Sequence, residues 1–340
     1  MSTWLASGEL LLHIGVHKTG TTAIQGALSQ ARPALVEQGV QYPGKLPSAF
    51  RAAMSIVHPA EHDTDDAVAI PRERWQRLCA QVAKSGADRV VVSSEVFCEA
   101  SDEVAAQVLT ELSARPTKIL IGVRPLWQLL ASSWQQYVKS GLTTPYNDWL
   151  LAVLRGEGES NTPTFWVRND LPALVERWAR RVGTENIGVY LVETNDRTAA
   201  FRLWESMLQL SSNTLTENPD HPSNPSLTAE QTEVIRRVNL ALAHHIDYRT
   251  YRREVRRGAV LELMAHPTGH PVHTPTWALE LAHQRSVADL AFLAATHVNS
   301  LNELSGLAAP PPAVRHDPLP FDEDKINADA EHIVHHIMMG

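Results

Sequence analysis

Apolar positions recur along the 340-residue chain in two alternating rhythms. Short unbroken runs form the first: Leu10-Leu11-Leu12-His13-Ile14, Arg89 to Glu95 around Val90-Val91-Val92, Lys118 to Val123, and Ile187 to Leu191. Each is bounded by turn residues, which predicts strands covered on both faces of a parallel sheet. A shorter strand, Val40 to Tyr42, follows Gly39. Between the runs, apolar residues recur at helical spacing. Helices are predicted from about Thr21 to Arg32 (with Ala23, Ile24, Ala27 and Leu28), from Ala49 to Val57, and from Pro71 to Gly86 with Trp75, Leu78 and Val82 inward. Two more run from Glu103 to Ser113 with Asp102 as cap, and from Pro125 to Lys139. This alternation predicts an α/β fold: a parallel sheet flanked by helices, with ligands at the carboxyl ends of its strands.

The rhythm then changes. Helices are expected at Tyr146 to Leu154, Leu171 to Val182 and Ala199 to Leu210, with a polar loop from Arg155 to Pro163. Residues 216–226 have linker composition. Thr228 is expected to cap a helix reaching about His245, with Val234, Ile235, Val238 and Ala241 as its stripe. No strand pattern follows Leu191. The chain therefore divides into an α/β core, 1–215, and a helical C-terminal extension, 216–340, which is expected to pack on the core. The extension ends in a Pro-rich stretch, 308–320, and a tail helix from Lys325; Glu61 to Asp66 is expected to be an acidic, solvated loop.

The strongest local signal is His13 to Thr22, His-Ile-Gly-Val-His-Lys-Thr-Gly-Thr-Thr, between the first strand and the first helix. Loop amides and the free N–H donors of a helix's first turn converge on an anion. The spacing Gly15-x4-Gly20 follows the Walker pattern to its second glycine and then departs: Thr21 stands where an NTPase has lysine, and the lysine is Lys18. A single 5′-phosphate suits this arrangement better than a triphosphate. The loop resembles the 5′-phosphosulfate-binding loop of sulfotransferases that use 3′-phosphoadenosine 5′-phosphosulfate (PAPS). A second segment resembles the same family: Arg124, at a strand tip, and Ser132, eight residues on in the next helix, match the pair that grips the donor's 3′-phosphate. Leu129 stands where several carbohydrate-type members carry another arginine.

The resemblance covers about residues 9–43 and 88–142. It implies a P-loop-like fold and sulfuryl transfer from PAPS to a hydroxyl or amine acceptor, such as a carbohydrate, lipid or small metabolite, leaving 3′,5′-adenosine bisphosphate. Lys18, Thr19, Gly20, Thr21 and Thr22 would hold the 5′-phosphosulfate, with Lys18 stabilising the leaving group. Arg124 and Ser132 would select the 3′-phosphate. The family often has a histidine at the strand end occupied here by Glu95, which makes Glu95 the expected base; His17 and His58 compete for that role. Arg256-Arg257-Gly258, within the basic cluster Arg249 to Arg257, weakly resembles another 3′-phosphate element. An anionic-acceptor patch or a solvated face is the plainer reading of that cluster. Trp127, Trp134, Tyr137 and Trp149 are candidates for an acceptor cleft, although such spacing also suits a core.

The totals narrow the partners. A formal charge of −8 argues against a generally nucleic-acid-binding surface, so an anion site must be a local basic pocket. Two cysteines, Cys79 and Cys98, give no disulfide framework and suit a reducing compartment. No run reaches the roughly 18 apolar residues of a membrane span, and a cytoplasmic enzyme without a membrane anchor is expected. The histidine groups His332, His335, His336 and His266, His270, His273 lack zinc-site patterning, and no metal is expected. The rival readings are a P-loop small-molecule kinase, which requires Mg²⁺ ligands, and a non-catalytic nucleotide-binding protein.

Overall fold

The computed structural model describes residues 4–59, 70–158, 161–193, 196, 198–217, 226–243, 245–312 and 321–339. The acidic stretch Glu61 to Asp66, most of the 216–226 linker and residues 313–320 of the Pro-rich segment lie outside them.

Six parallel strands form one sheet in the order β2-β3-β1-β4-β5-β6. In chain order, β1 (Leu10–His13) leads to α1 (Thr21–Gln30), α2 (Arg32–Glu37), β2 (Val40–Gln41), α3 (Phe50–Val57) and α4 (Glu73–Ala83). Then come β3 (Arg89–Ser93), α5 (Asp102–Glu111), β4 (Thr117–Val123) and α6 (Leu126–Val138). The chain continues through α7 (Tyr146–Arg155), α8 (Thr164–Asn169), α9 (Leu171–Val182), β5 (Ile187–Leu191) and α10 (Ala199–Leu208). Beyond residue 216 lie α11 (Ala229–Leu242), α12 (Tyr248–Thr250), a π-helix (Tyr251–Ala259), α13 (Val260–Ala265), α14 (Thr276–Thr296), β6 (Asn299–Ser300) and α15 (Glu323–Met339).

The strand period of two sorts the apolar runs between faces. Leu10, Leu12, Val90, Val92, Ile119 and Ile121 join Trp75 and Trp178 in one core. Leu11, Val91 and Leu120 join Ile24, Leu28, Tyr190 and Trp204 on the other side. β1 is fully buried and central, with Leu10 opposite both Val90 of β3 and Thr117 of β4. A third core gathers Trp134, Val138, Trp149, Val234, Ile235, Val238, Ala282 and Ile326 from helices of both halves of the chain. Trp134 and Trp149 are thus mainly core residues, at 3% and 1% exposure. Tyr137 and Trp127 are partly buried against them, and the Trp127 indole donates to Ala309 O at 3.1 Å.

Several expectations are corrected. The helix expected to reach Arg32 stops at Gln30, and Pro33 lies in the first turn of α2, where its missing N–H costs nothing. Ser101, not Asp102, caps α5: its hydroxyl accepts from Val104 N. The last third is not purely helical, because β6 extends the sheet beyond β5. Its two polar residues carry no strand pattern. Side-chain amides fix it instead: Asn302 Oδ1 accepts from Leu191 N at 2.8 Å, Asn302 Nδ2 donates to Leu191 O at 2.8 Å, and Asn299 Nδ2 donates to Ile187 O. No helix among the described residues is long and apolar enough to cross a membrane.

Candidate active site

The site begins where β1 ends. Residues 14–20 bring the chain from the sheet into α1, and Gly20, at φ +75°, provides the left-handed turn that starts the helix without a side-chain cap. Lys18 also adopts positive φ, +65°, which an L-residue tolerates only when its surroundings impose it. Among the described residues, no backbone N–H from His17 to Thr22 has a hydrogen-bond partner. Unpaired amides at the start of a helix are an arrangement that favours an anion. Thr21 is buried and Thr22 exposed. The Thr19 hydroxyl turns inward and donates to Val16 O at 2.6 Å, so this side chain holds the loop's shape and leaves only its amide for a ligand.

Gly15, at φ +97°, allows the loop to press against Glu95: a Cβ there would stand 3.0 Å from Glu95 Cβ. The expected strand tip is shifted, since β3 ends at Ser93 and Glu95 opens a 3₁₀ turn, Glu95–Glu99, capped by the Ser94 hydroxyl. Glu95 Oε2 accepts from Gln25 Nε2 at 3.1 Å, and the same amide donates to Ser93 Oγ. Ser93 Oγ in turn meets His13 Nδ1 at 2.8 Å. Burial pushes the His13 imidazole down to about 3, so it is a neutral scaffold group.

At the other end of the 3₁₀ turn, Glu99 gathers three side chains from three elements. His17 Nε2 meets its Oε1 at 2.7 Å, His58 Nε2 meets Oε2 at 3.1 Å, and Arg168 Nε lies 3.0 Å from Oε1. Burial raises the Glu99 pKa, but the two histidines and Arg168 reverse this and hold the carboxyl below its ordinary range. A carboxylate bonded to His17 Nε2 selects the tautomer with the proton on that nitrogen and leaves Nδ1 as an acceptor. His17, Cys98 and Glu99 also place three ligand-type atoms within 4.8 Å of one another, yet the Arg168 guanidinium already supplies a cation there.

Arg124 follows β4 directly. Its Nη2 lies 3.9 Å from where a Cβ on Gly20 would be, so the structure brings strand tip and loop together. Its Nε is buried without a hydrogen-bond partner, and among the described residues Arg124 has no ion pair. Desolvation lowers its pKa, with Tyr190 acting in the opposite sense. Arg124 shares a narrow cleft with Val16, Thr19, Leu129, Arg168 and Asp289. Asp289 is held by Arg285 Nε at 3.1 Å, and burial pushes its carboxyl up to about 6. Ser286, one α14 turn earlier, accepts from Leu126 N at 2.8 Å and fixes α14 to the start of α6.

Ser132 is not drawn to Arg124 by any hydrogen bond; its hydroxyl donates to Leu129 O at 3.1 Å. It shares one face of α6 with Gln136, whose Oε1 accepts from Lys18 Nζ at 3.3 Å. Lys18 is solvent-accessible, but desolvation by the walls around it lowers its ammonium pKa, with Glu95 raising it and Arg168 lowering it. Gln25, Glu99, Gln136 and Arg168 were missed in the sequence. The one available signal was the pair Glu95 and Glu99, four residues apart immediately after a buried strand.

Comparison with protein-family models finds no match, and comparison with curated proteins finds none either. Among solved structures, a sulfotransferase from Alicyclobacillus acidocaldarius is similar at a TM-score of 0.42 and 19% identity, covering 72% of this chain and 98% of that one. At that level of likeness, the chemistry rests on this chain's own residues.

Proposed function

We propose that the chain transfers a sulfuryl group from PAPS to a hydroxyl or amine acceptor. The observation that carries this reading is the juxtaposition of Arg124, a partly buried guanidinium, with the Gly20 loop, where among the described residues neither the guanidinium has an ion pair nor the loop amides a partner. Two anion-seeking features at that spacing suit a nucleotide phosphorylated at both ends of its ribose. The loop amides and Thr21 and Thr22 would hold the 5′-phosphosulfate, and Arg124 the 3′-phosphate, with Ser132 joining it after its hydroxyl turns from Leu129 O.

In the reaction, the acceptor oxygen attacks sulfur, the bond from sulfur to the bridging phosphate oxygen breaks, and Lys18 stabilises the charge left on that oxygen. His17 is the better-placed base: Glu99 holds Nε2, which leaves Nδ1 for the acceptor proton. Glu95, already bonded by Gln25 and pressed on Gly15, supports Lys18 electrostatically.

Calorimetric titration tests the donor assignment. The expected result is tighter binding of 3′,5′-adenosine bisphosphate than of AMP, with the preference abolished in Arg124→Ala; equal binding by the intact chain overturns it. The kinase reading instead requires ATP turnover dependent on added Mg²⁺. A purely nucleotide-binding role is supported if the bisphosphate binds and PAPS is never consumed across a broad acceptor set.

A further inference from the structure

Lys139, the C-cap of α6, is a partly buried ammonium whose one side-chain hydrogen-bond partner among the described residues is a thioether, Met264 Sδ at 3.4 Å. Sulfur is a weak acceptor and leaves the charge essentially uncompensated. A lysine at a helix C-terminus is favoured by the helix dipole, but this one points across to α13 and stands among other cations. Lys18 bonds to Gln136, three residues before Lys139 on the same helix. Arg256 lies on the π-helix, which is anchored to α6 and α11 by the Tyr251 hydroxyl on Val138 O and Asn239 Oδ1, and it acts on Lys139 electrostatically. Desolvation, then Lys18, then Arg256 push the Lys139 ammonium down to about 8. None of the three cations has an ion-paired carboxylate among the described residues. Nine residues of π-helix at this position are a second unusual feature, since such segments concentrate at functional sites.

We propose that Lys139, Arg256 and Lys18 form an oxyanion subsite at the acceptor side of the cradle, so that the acceptor carries a carboxylate or sulfate group besides the hydroxyl or amine it presents. This rests on the sulfotransferase reading for the word acceptor; the anion subsite itself does not. Lys18 belongs to both places: it faces the donor loop through its backbone and the subsite through α6. An anionic substituent docked between Lys139 and Arg256 would therefore hold a nearby hydroxyl close to the loop.

The chain has six lysines, so the full-length protein labelled with [¹³Cε]lysine gives a resolvable spectrum, with Lys139 assigned as the signal missing from Lys139→Met. Its titration midpoint is followed with succinate, inorganic sulfate or neutral succinamide, each with and without 3′,5′-adenosine bisphosphate. Succinate or sulfate is expected to raise the midpoint by about one pH unit, a tenfold change in proton affinity, and succinamide to leave it in place. Arg256→Gln, an exposed substitution that spares the fold, should halve the shift or more. No shift with either anion overturns the proposal. So does a shift that the bisphosphate abolishes, which assigns the anion to the donor loop, or a tenfold loss of bisphosphate affinity in Arg256→Gln, which assigns the arginine to the donor. Bisphosphate binding is recorded in the same samples, so failure of the donor reading and failure of this subsite are seen separately.

Discussion

Two groups of charge share the carboxyl end of the sheet and are built on opposite principles. Around Glu99 every charge is answered: one buried carboxylate takes His17, His58 and Arg168. Around the Gly20 loop no cation has an ion-paired carboxylate among the described residues: Arg124 has a bare buried Nε, Lys18 bonds a neutral amide, and Lys139 a thioether. Burial alone works against both groups. In the first it is overcome by neighbours, and in the second it lowers the pKa values of Arg124, Lys18 and Lys139. A chain with a net charge of −8 had carboxylates to spare for those cations. Among the described residues none is ion-paired with them, although Glu95 acts on Lys18 and Asp289 lines the cleft of Arg124; that suits the second group to the proposed external anion, while the first is the frame that holds His17 beside it.

The comparison breaks most visibly if Glu99 is removed. Glu99→Ala leaves Arg168 and two histidines facing one another without the carboxylate, and a broken buried pair costs about 3–5 kcal/mol. The expected result is a urea midpoint lowered accordingly, with a smaller loss in Glu99→Gln, which keeps two hydrogen bonds. An unchanged midpoint for Glu99→Ala overturns the idea that this node is structural.

Acid tests the buried scaffold, with Asp289 acting in the opposite sense, since a carboxyl raised from 3.8 to about 6 adds stability as pH falls through that window. His13 titrates at about 3 in the fold against 6.5 when free, so between those values the unfolded chain binds more protons. Its contribution to stability therefore falls as pH drops below about 6.5, by at most about 1.4 kcal/mol per pH unit. Glu99, depressed from 4.5, adds its own loss only below about pH 4.5. Urea midpoints at pH 7, 5.5 and 4 should decline with a steeper final interval. His13→Gln should flatten both intervals, the second more than the first, because the His13 loss runs from about pH 6.5 down to about 3.

What could be read beforehand follows the range of the interactions. β1, β3, β4 and β5 were legible because a both-sides-buried strand must be apolar throughout. The places of Lys18 and Gly20 in the β1–α1 loop and of Arg124 at the end of β4 were legible because loop and strand-tip motifs are local. Glu99 looked like any carboxylate in a turn, since its partners His17, His58 and Arg168 come from distant parts of the chain. α8, which delivers Arg168, is six residues long and was passed over between two clearer helices. β6 was invisible because its pairing is fixed by asparagine side chains rather than by an apolar pattern. The exchange of Thr19 from ligand to loop brace rests on a hydroxyl orientation, which no spacing reveals.

The smallest expected effect on stability tests the other half of the contrast. If Arg124 is held ready for an anion, it contributes little to folding, because its buried Nε lacks a partner and its guanidinium carries a desolvation cost. Arg124→Met keeps the length of the side chain in the cleft while removing charge and unpaired donor together. Replacing buried charge by an apolar group of similar volume is often neutral or stabilising. The expected change in unfolding free energy is between zero and a gain of about 1 kcal/mol, measured by urea denaturation without nucleotide. The same variant should lose the preference for 3′,5′-adenosine bisphosphate over AMP. A loss of more than about 2 kcal/mol would place Arg124 with Glu99 among the groups that hold the fold, and the distinction between a wired cluster and a waiting one would fail at its most important residue.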